Sequence, residues 1–212
     1  MSPGAAGSRP SVVLVPAQRW PRWVLNFQGR HGPTALEVTS GDLFGAAADG
    51  STFAASLPFA ERYAGLPDAE AFAAACAAPE DWGVLLVRKG GFAVARVAGR
   101  TVVDSKVGQR HVQGRTKAGG QSQQRFARRR DNQARAAYEA AAGHAARILH
   151  GLSGPLVTGG DRAAVEEVLA GPPLDRLTVV GPWLAVPDPR RAVLDAAVLD
   201  ACAVQVSVHN AP

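Results

Sequence analysis

The chain is predicted to be an α/β protein of mixed α+β type. A mixed β-sheet with flanking helices follows a small N-terminal α+β part. Three observations predict it. Short apolar runs bounded by Gly, Pro and Asp recur through the first half. One long proline-free stretch, rich in alanine and charge, spans 122–150. After Leu156 strand-like and helix-like segments alternate, as in sheets with parallel pairs. At 212 residues and 47% hydrophobic content the chain can build one large domain or two small ones. Aromatics are only 6% while alanine is abundant, so much of the packing must be contact between small residues on helices.

The elements follow in order. Residues 1–10, rich in Gly, Ser, Pro and Ala, are expected to be a disordered tail. Val12 to Val15 is a short strand. Trp20, Trp23 and Phe27 recur at i, i+3 and i+7, one face of a helix flanked by Arg19, Arg22 and Arg30. Such a stripe suits core packing, or a surface on which RNA bases stack. His31-Gly32-Pro33 ends that helix. Leu36 to Thr39, Leu43 to Ala48 and Ser51 to Ser56 form an antiparallel meander with Asp49-Gly50 as a tight turn. A helix is expected over Asp68 to Ala77. The N-terminal part is thus taken as 11–78 and the second domain as 79–210.

In the second domain Gly83 to Arg88 and Gly91 to Ala98 are strands across the turn Lys89-Gly90-Gly91. Arg100 to Lys106 is a third strand, and His111 to Lys117 is expected to be an exposed basic strand. The long helix covers Ser122 to His150, with Phe126, Gln133, Ala137, Ala141 and Ile148 as its buried stripe and Gly151 as its stop. Leu156 to Thr158 is a strand, and Gly159-Gly160-Asp161 turns into a helix over Arg162 to Ala170. That turn is an ordinary α/β junction or a second anion-binding turn. A strand at Leu177 to Val180, a helix over Pro189 to Ala203 and a strand at Val204 to Val208 complete the chain.

Charge is concentrated in one place. From Lys106 to Arg135 there are nine basic residues and one acid, Asp131, a net +8. The whole chain carries only +5, which leaves −3 for everything else. A local excess of this kind reads as a nucleic-acid footprint or as a solvated helix face. Arginine accounts for most of the basic residues. It is the better phosphate fork, and its excess also fits a GC-rich coding bias.

Within this segment stand Gly119, Gly120, Gln121 and Ser122. The glycines lack a Cβ and admit φ > 0 and close backbone approach. Gln121 donates and accepts hydrogen bonds but has no useful pKa, so it can position water and cannot act as a general base. Ser122 is expected as the N-cap of the long helix, with Gln123 onward helical. Gln121 then lies where unpaired N–H groups and the positive dipole end favour phosphate or an ester oxyanion.

Gly119-Gly120-Gln121-Ser122 followed by Arg125-Phe126-Ala127-Arg128 resembles the catalytic loop and following helix of eukaryotic and archaeal class 1 peptide-chain release factors. The chain as a whole is similar to the actinobacterial branch of the VLRF-type peptidyl-tRNA hydrolases. The similarity is detailed from Gly83 to Leu149 and looser from Ser11 onward. It implies a release-factor GGQ-domain-like fold and hydrolysis of the ester between nascent peptide and tRNA. Gly119, Gly120 and Gln121 would be catalytic. Arg115, Lys117, Arg125, Arg128, Arg129 and Arg130 would hold rRNA and tRNA phosphates. The implied partners are the large ribosomal subunit, peptidyl-tRNA and rRNA. Nothing resembles a stop-codon-reading or GTPase-binding domain, nor the zinc finger and ankyrin repeats of the eukaryotic relatives. Codon-independent release from stalled or split ribosomes is therefore expected.

Two other functions compete with this reading. A non-catalytic ribosome or tRNA binder would keep the fold without the reaction. A metal nuclease would need clustered carboxylates, and Asp104, Asp131, Glu139 and Asp161 form no motif. No cofactor or metal is expected, since Cys76 and Cys202 lack ligand spacing and His31, His111, His144, His150 and His209 are scattered. His111 and His144 suit surface or capping roles. No leader or membrane span is expected, because the longest N-terminal apolar run is Val12 to Val15. A cytoplasmic monomer is the expectation.

Overall fold

The computed structural model describes residues 11–109 and 121–211, and at 11, 109 and 121–134 the backbone alone. The expected tail at 1–10 and the expected basic strand at His111 to Lys117 lie outside the described residues. The chain divides into two compact units, 1–78 with 202–212, and 79–201.

The first unit contains β1 (Ser11–Val15), α1 (Trp20–His31), β2 (Thr34–Thr39), β3 (Asp42–Ala47), β4 (Thr52–Ser56), α2 (Ala69–Ala74) and β10 (Val204–His209). The meander forms as the residue pattern predicts. Alternate residues of β3 and β4 are buried, and Ser51 N–H donates to Asp49 Oδ1 at 2.8 Å in the turn between them. What periodicity does not reveal is that β10 returns from the end of the chain. It pairs antiparallel with both β1 and β4, giving the order β1-β10-β4-β3-β2. Strand pairing across 150 residues leaves no local signature.

The aromatic stripe of α1 is core. Trp20 is fully buried and stacks on Trp23 at 5.1 Å, and Trp20, Trp23 and Phe27 all meet the Phe53 ring edge-on. A fully buried side chain of Phe53's size contributes about 2–3 kcal/mol over leaving it in water. Gly32 ends α1 at φ +88°. Helix α2 is shorter than expected and starts with Asp68 accepting from Ala71 N–H at 2.9 Å.

The second unit contains β5 (Trp82–Arg88), β6 (Gly91–Ala98), β7 (Thr101–Gln109), α3 (Gln121–Ile148), β8 (Leu156–Gly160), α4 (Arg162–Leu169), β9 (Val179–Leu184) and α5 (Arg191–Ala201). Its sheet order is β7-β6-β5-β8-β9. The β5–β6 and β6–β7 pairs are antiparallel, while β5–β8 and β8–β9 are parallel. This is the mixed sheet expected. β5 is central and buried from Trp82 to Val87, as a strand covered on both faces must be. Leu85, Val87 and Val94 pack with α3 and α4, and α5 packs against β5, β6 and β9.

Several bounds and one core stripe differ from expectation: β7 continues to Gln109 and α5 is confined to Arg191–Ala201. β8 runs through Gly160, so Gly159 and Gly160 are strand residues. β9 continues to Leu184 with Pro182 inside it, which an edge strand tolerates because one side of its ladder is unpaired. The core stripe of α3 is Tyr138, Ala141, Ala145 and Ile148, continued by Leu149 just past the helix end, whereas Ala137 is half-buried. The side chains of Phe126 and Gln133 lie outside the described residues.

Candidate functional site

Strand β7 stays paired with β6 to its last residue, Gln109 opposite Gly91. Helix α3 starts at Gln121. Residues 110–120 join them and include Arg115, Lys117, Gly119 and Gly120, all outside the described residues. Gln121 is the first residue of α3, and Ser122 is one position inside the helix rather than its N-cap. The three-residue motif therefore runs directly into the helix, and the first free backbone N–H groups belong to Gln121 and the residues after it.

Arg125, Arg128, Arg129 and Arg130 lie in the opening turns of α3, where the backbone alone is described. At 100° per residue, positions 121, 125 and 128 fall within about 60° of one another, on the side away from the core stripe. Position 129 flanks them. Position 130 falls instead on the side continued by Ile148. The arginine run is thus split between faces, as its unbroken spacing requires.

The far half of α3 is tied down. The Phe92 ring stacks on His144 at 5.6 Å, and a Cβ on Gly108 of β7 would strike that ring. His144 is a half-buried packing residue, a correction to its expected surface role. Arg96 Nη1 donates to His150 O at 2.8 Å and Nη2 to Gly151 O at 3.3 Å, closing carbonyls that the helix end leaves open. Arg96 also grips Asp81, Nε to Oδ1 at 2.7 Å and Nη2 to Oδ2 at 3.0 Å. Asp81 Oδ2 accepts from Ser153 N and Oγ, each at 2.9 Å. The Arg96 hydrogen bonds, with help from Ser153, lower the Asp81 pKa to about 2. Arg147 adds an exposed bond to Asp104 at 2.9 Å.

Phe92 near one end of β6 meets His144, and Arg96 further along meets His150 and Gly151, so α3 runs parallel to β6. Tyr138 is the first α3 side chain described in the core. The 17 residues of α3 before it form about 25 Å of helix. The candidate motif stands at the start of a long helix whose other end is clamped to the sheet. Sequence inspection missed Asp81, Phe92, Arg96 and Ser153, for which single residues in strands and turns give no signal.

Lys89 in the β5–β6 turn, Lys106 of β7 and Arg135 of α3 are exposed. Arg162 lies over the Trp183 ring at 4.3 Å. The Gly159-Gly160-Asp161 segment is a close-approach device. Gly160 sits at φ +101°, a Cβ there would strike the Val87 carbonyl, and Asp161 N–H donates to Val87 O at 2.8 Å. Its donor is turned to the neighbouring strand, which favours the ordinary-junction alternative. Burial, then the charges of Asp161 and Glu167, push the Tyr138 hydroxyl pKa up. Asp104 is engaged by Arg147. No three His, Cys, Asp or Glu side chains come together as a metal site among the described residues. No helix among them is long and apolar enough to cross a membrane.

The second unit is thus a mixed sheet carrying a long helix that opens on the glutamine of Gly-Gly-Gln, inside a basic segment. The family model described as Actinobacteria/chloroflexi VLRF1 release factor matches residues 80–207, more than half of the chain, and the chain belongs to that family. Membership brings a release-factor-like role in translation and association with the ribosome. The match starts with the second unit and leaves 11–79 outside it. No curated protein matches the chain.

Proposed function

We propose that the chain is a codon-independent peptidyl-tRNA hydrolase acting on the large ribosomal subunit of stalled or split ribosomes. The observation that carries this is Gln121 opening α3, with Gly119 and Gly120 before it and a net +8 from Lys106 to Arg135. The glycines let the backbone enter a narrow RNA-lined channel. The Gln121 amide orders a water against the ester carbonyl carbon and leaves no room for a bulkier nucleophile. The water oxygen bonds to that carbon, the bond from carbon to the ribose oxygen breaks, and the water's proton ends on the leaving ribose hydroxyl. The Gln121 backbone N–H, free of an intrahelical acceptor, stabilises the developing oxyanion. Positioning and such a donor act without any acid or base, and losing one donor costs about 10²–10³ in rate. Arg115, Lys117, Arg125, Arg128, Arg129 and Arg130 hold phosphates, so binding falls steeply with salt.

The test is release of labelled peptide from peptidyl-tRNA on purified large subunits, comparing wild type with Gln121→Ala. Loss of release with retained sedimentation on the subunit supports the hydrolase. Salt-sensitive binding without release by wild type would instead establish a non-catalytic ribosome binder.

A further inference from the structure

The first 36 residues contain no acid, and the first carboxylate in the chain is Glu37. Within them Arg19 precedes α1, and Arg22, Asn26 and Arg30 follow at spacings of three, four and four. At 100° per residue these four positions fall within an arc of about 80°. All four are exposed, and among the described residues none of the three arginines has an ion-pair partner. The apolar stripe of the same helix, Trp20, Val24 and Phe27, is consumed by the core.

We infer that this arginine stripe of α1 is a second RNA-binding surface, one that grips the phosphate backbone. The four positions recur about once per helical turn; along the axis Arg19 and Arg22 lie about 4.5 Å apart and Arg22 and Arg30 about 12 Å apart, so the forks reach neighbouring and next-but-one phosphates of one strand. Arginine presents a planar fork to phosphate, and Asn26 adds a neutral hydrogen-bonding group between two of the forks. A membrane surface is disfavoured, because such binding needs an apolar face to bury and α1 has spent its own. A protein partner needs a central apolar anchor, and the exposed Leu25 of α1, 62% accessible, lies about 60° outside the arginine arc. The choice of RNA rests on the ribosome association of the family and is independent of the proposed hydrolysis.

The test uses the full chain with a labelled 20-nucleotide oligouridine and a 20-base-pair RNA duplex, titrated by anisotropy across salt concentrations. Arg19→Gln, Arg22→Gln and Arg30→Gln are combined, and a second variant carries lysine at all three sites. If all three contact phosphates, the glutamine variant flattens the slope of log affinity against log salt by about 2 on the single strand or about 2.7 on the duplex. The lysine variant keeps most of the slope, and both melt at the wild-type temperature. The probe that shows the change identifies single-stranded or helical RNA as the ligand. An unchanged slope on both probes overturns the inference and points to an acidic protein partner. Equal loss in both variants with lowered melting temperature also overturns it. Gln121→Ala keeps this slope whatever its effect on release, so failure of the hydrolase proposal is read separately.

Discussion

Asp81→Asn tests the clamp on the far end of α3. The substitution keeps the shape but removes the charge that holds two Arg96 nitrogens and two Ser153 donors. The Asp81 pKa of about 2, against an ordinary 3.8, corresponds to roughly 2.4 kcal/mol of favoured ionisation. The side chains of Arg96 and Asp81 are 30% and 25% exposed, so solvent screening reduces this to about 1–1.5 kcal/mol. Because folding depresses this pKa, the unfolded chain binds more protons between about pH 4 and pH 2. The stabilisation is therefore complete above the unfolded value and is lost as pH falls through that window. Urea unfolding of both proteins at pH 7, 5, 4 and 3 measures the difference. A deficit of about 1–1.5 kcal/mol at pH 7 and 5, shrinking at pH 4 and further at pH 3, is expected, with a melting point about 2–6 °C lower at neutral pH. A deficit that stays constant down to pH 3, or none at pH 7, refutes the assignment of the stabilisation to the carboxylate charge.

Phe92→Ala removes a ring held between His144 and Gly108 and should cost about 3–5 kcal/mol in thermal or urea unfolding, the range for a buried aromatic. Gly160→Ala forces a Cβ toward the Val87 carbonyl at φ +101° and should destabilise by at least about 1–3 kcal/mol. Gln121→Ala removes the water-ordering amide but keeps the backbone N–H, and should lower peptide release on large subunits by about 100-fold, the cost of a misplaced reactant, while leaving the melting temperature unchanged. Raising salt from 50 to 200 mM should weaken subunit binding by about 10³-fold or more if six or more phosphates are contacted, as sedimentation would show.

The strands, the two long helices and the mixed sheet were legible because each carries a local pattern. Alternation marks β3 and β4, a continuous apolar run marks β5, and the Trp20–Phe27 stripe marks α1. The motif and its charge were legible as composition. Three kinds of feature were not. The pairing of β10 with β1 and β4 depends on residues remote in sequence. Ala141 and Ile148 keep their expected places, but Tyr138 and Ala145 widen the α3 stripe to one side and leave Ala137 at its edge, because an alanine-rich helix has too little contrast between its faces to mark the centre of its buried arc. The Asp81–Arg96–Ser153 cluster joins a loop, a strand and a turn, each unremarkable alone.

The return of β10 also sets the order in which the chain can be completed. Synthesis delivers 79–201 before the strand that fills the gap between β1 and β4 exists. The second unit, though later in sequence, has all its strands first, while the first unit waits with two open sheet edges. Closing it requires joining segments some 150 residues apart, a slow step by loop-closure entropy. A chain cut at residue 201 would leave β1 without its neighbour and β4 open on one side. Residues 204–209 thus act as a fastening for the sheet of the first unit, and an insertion or fusion beside them bears on that sheet.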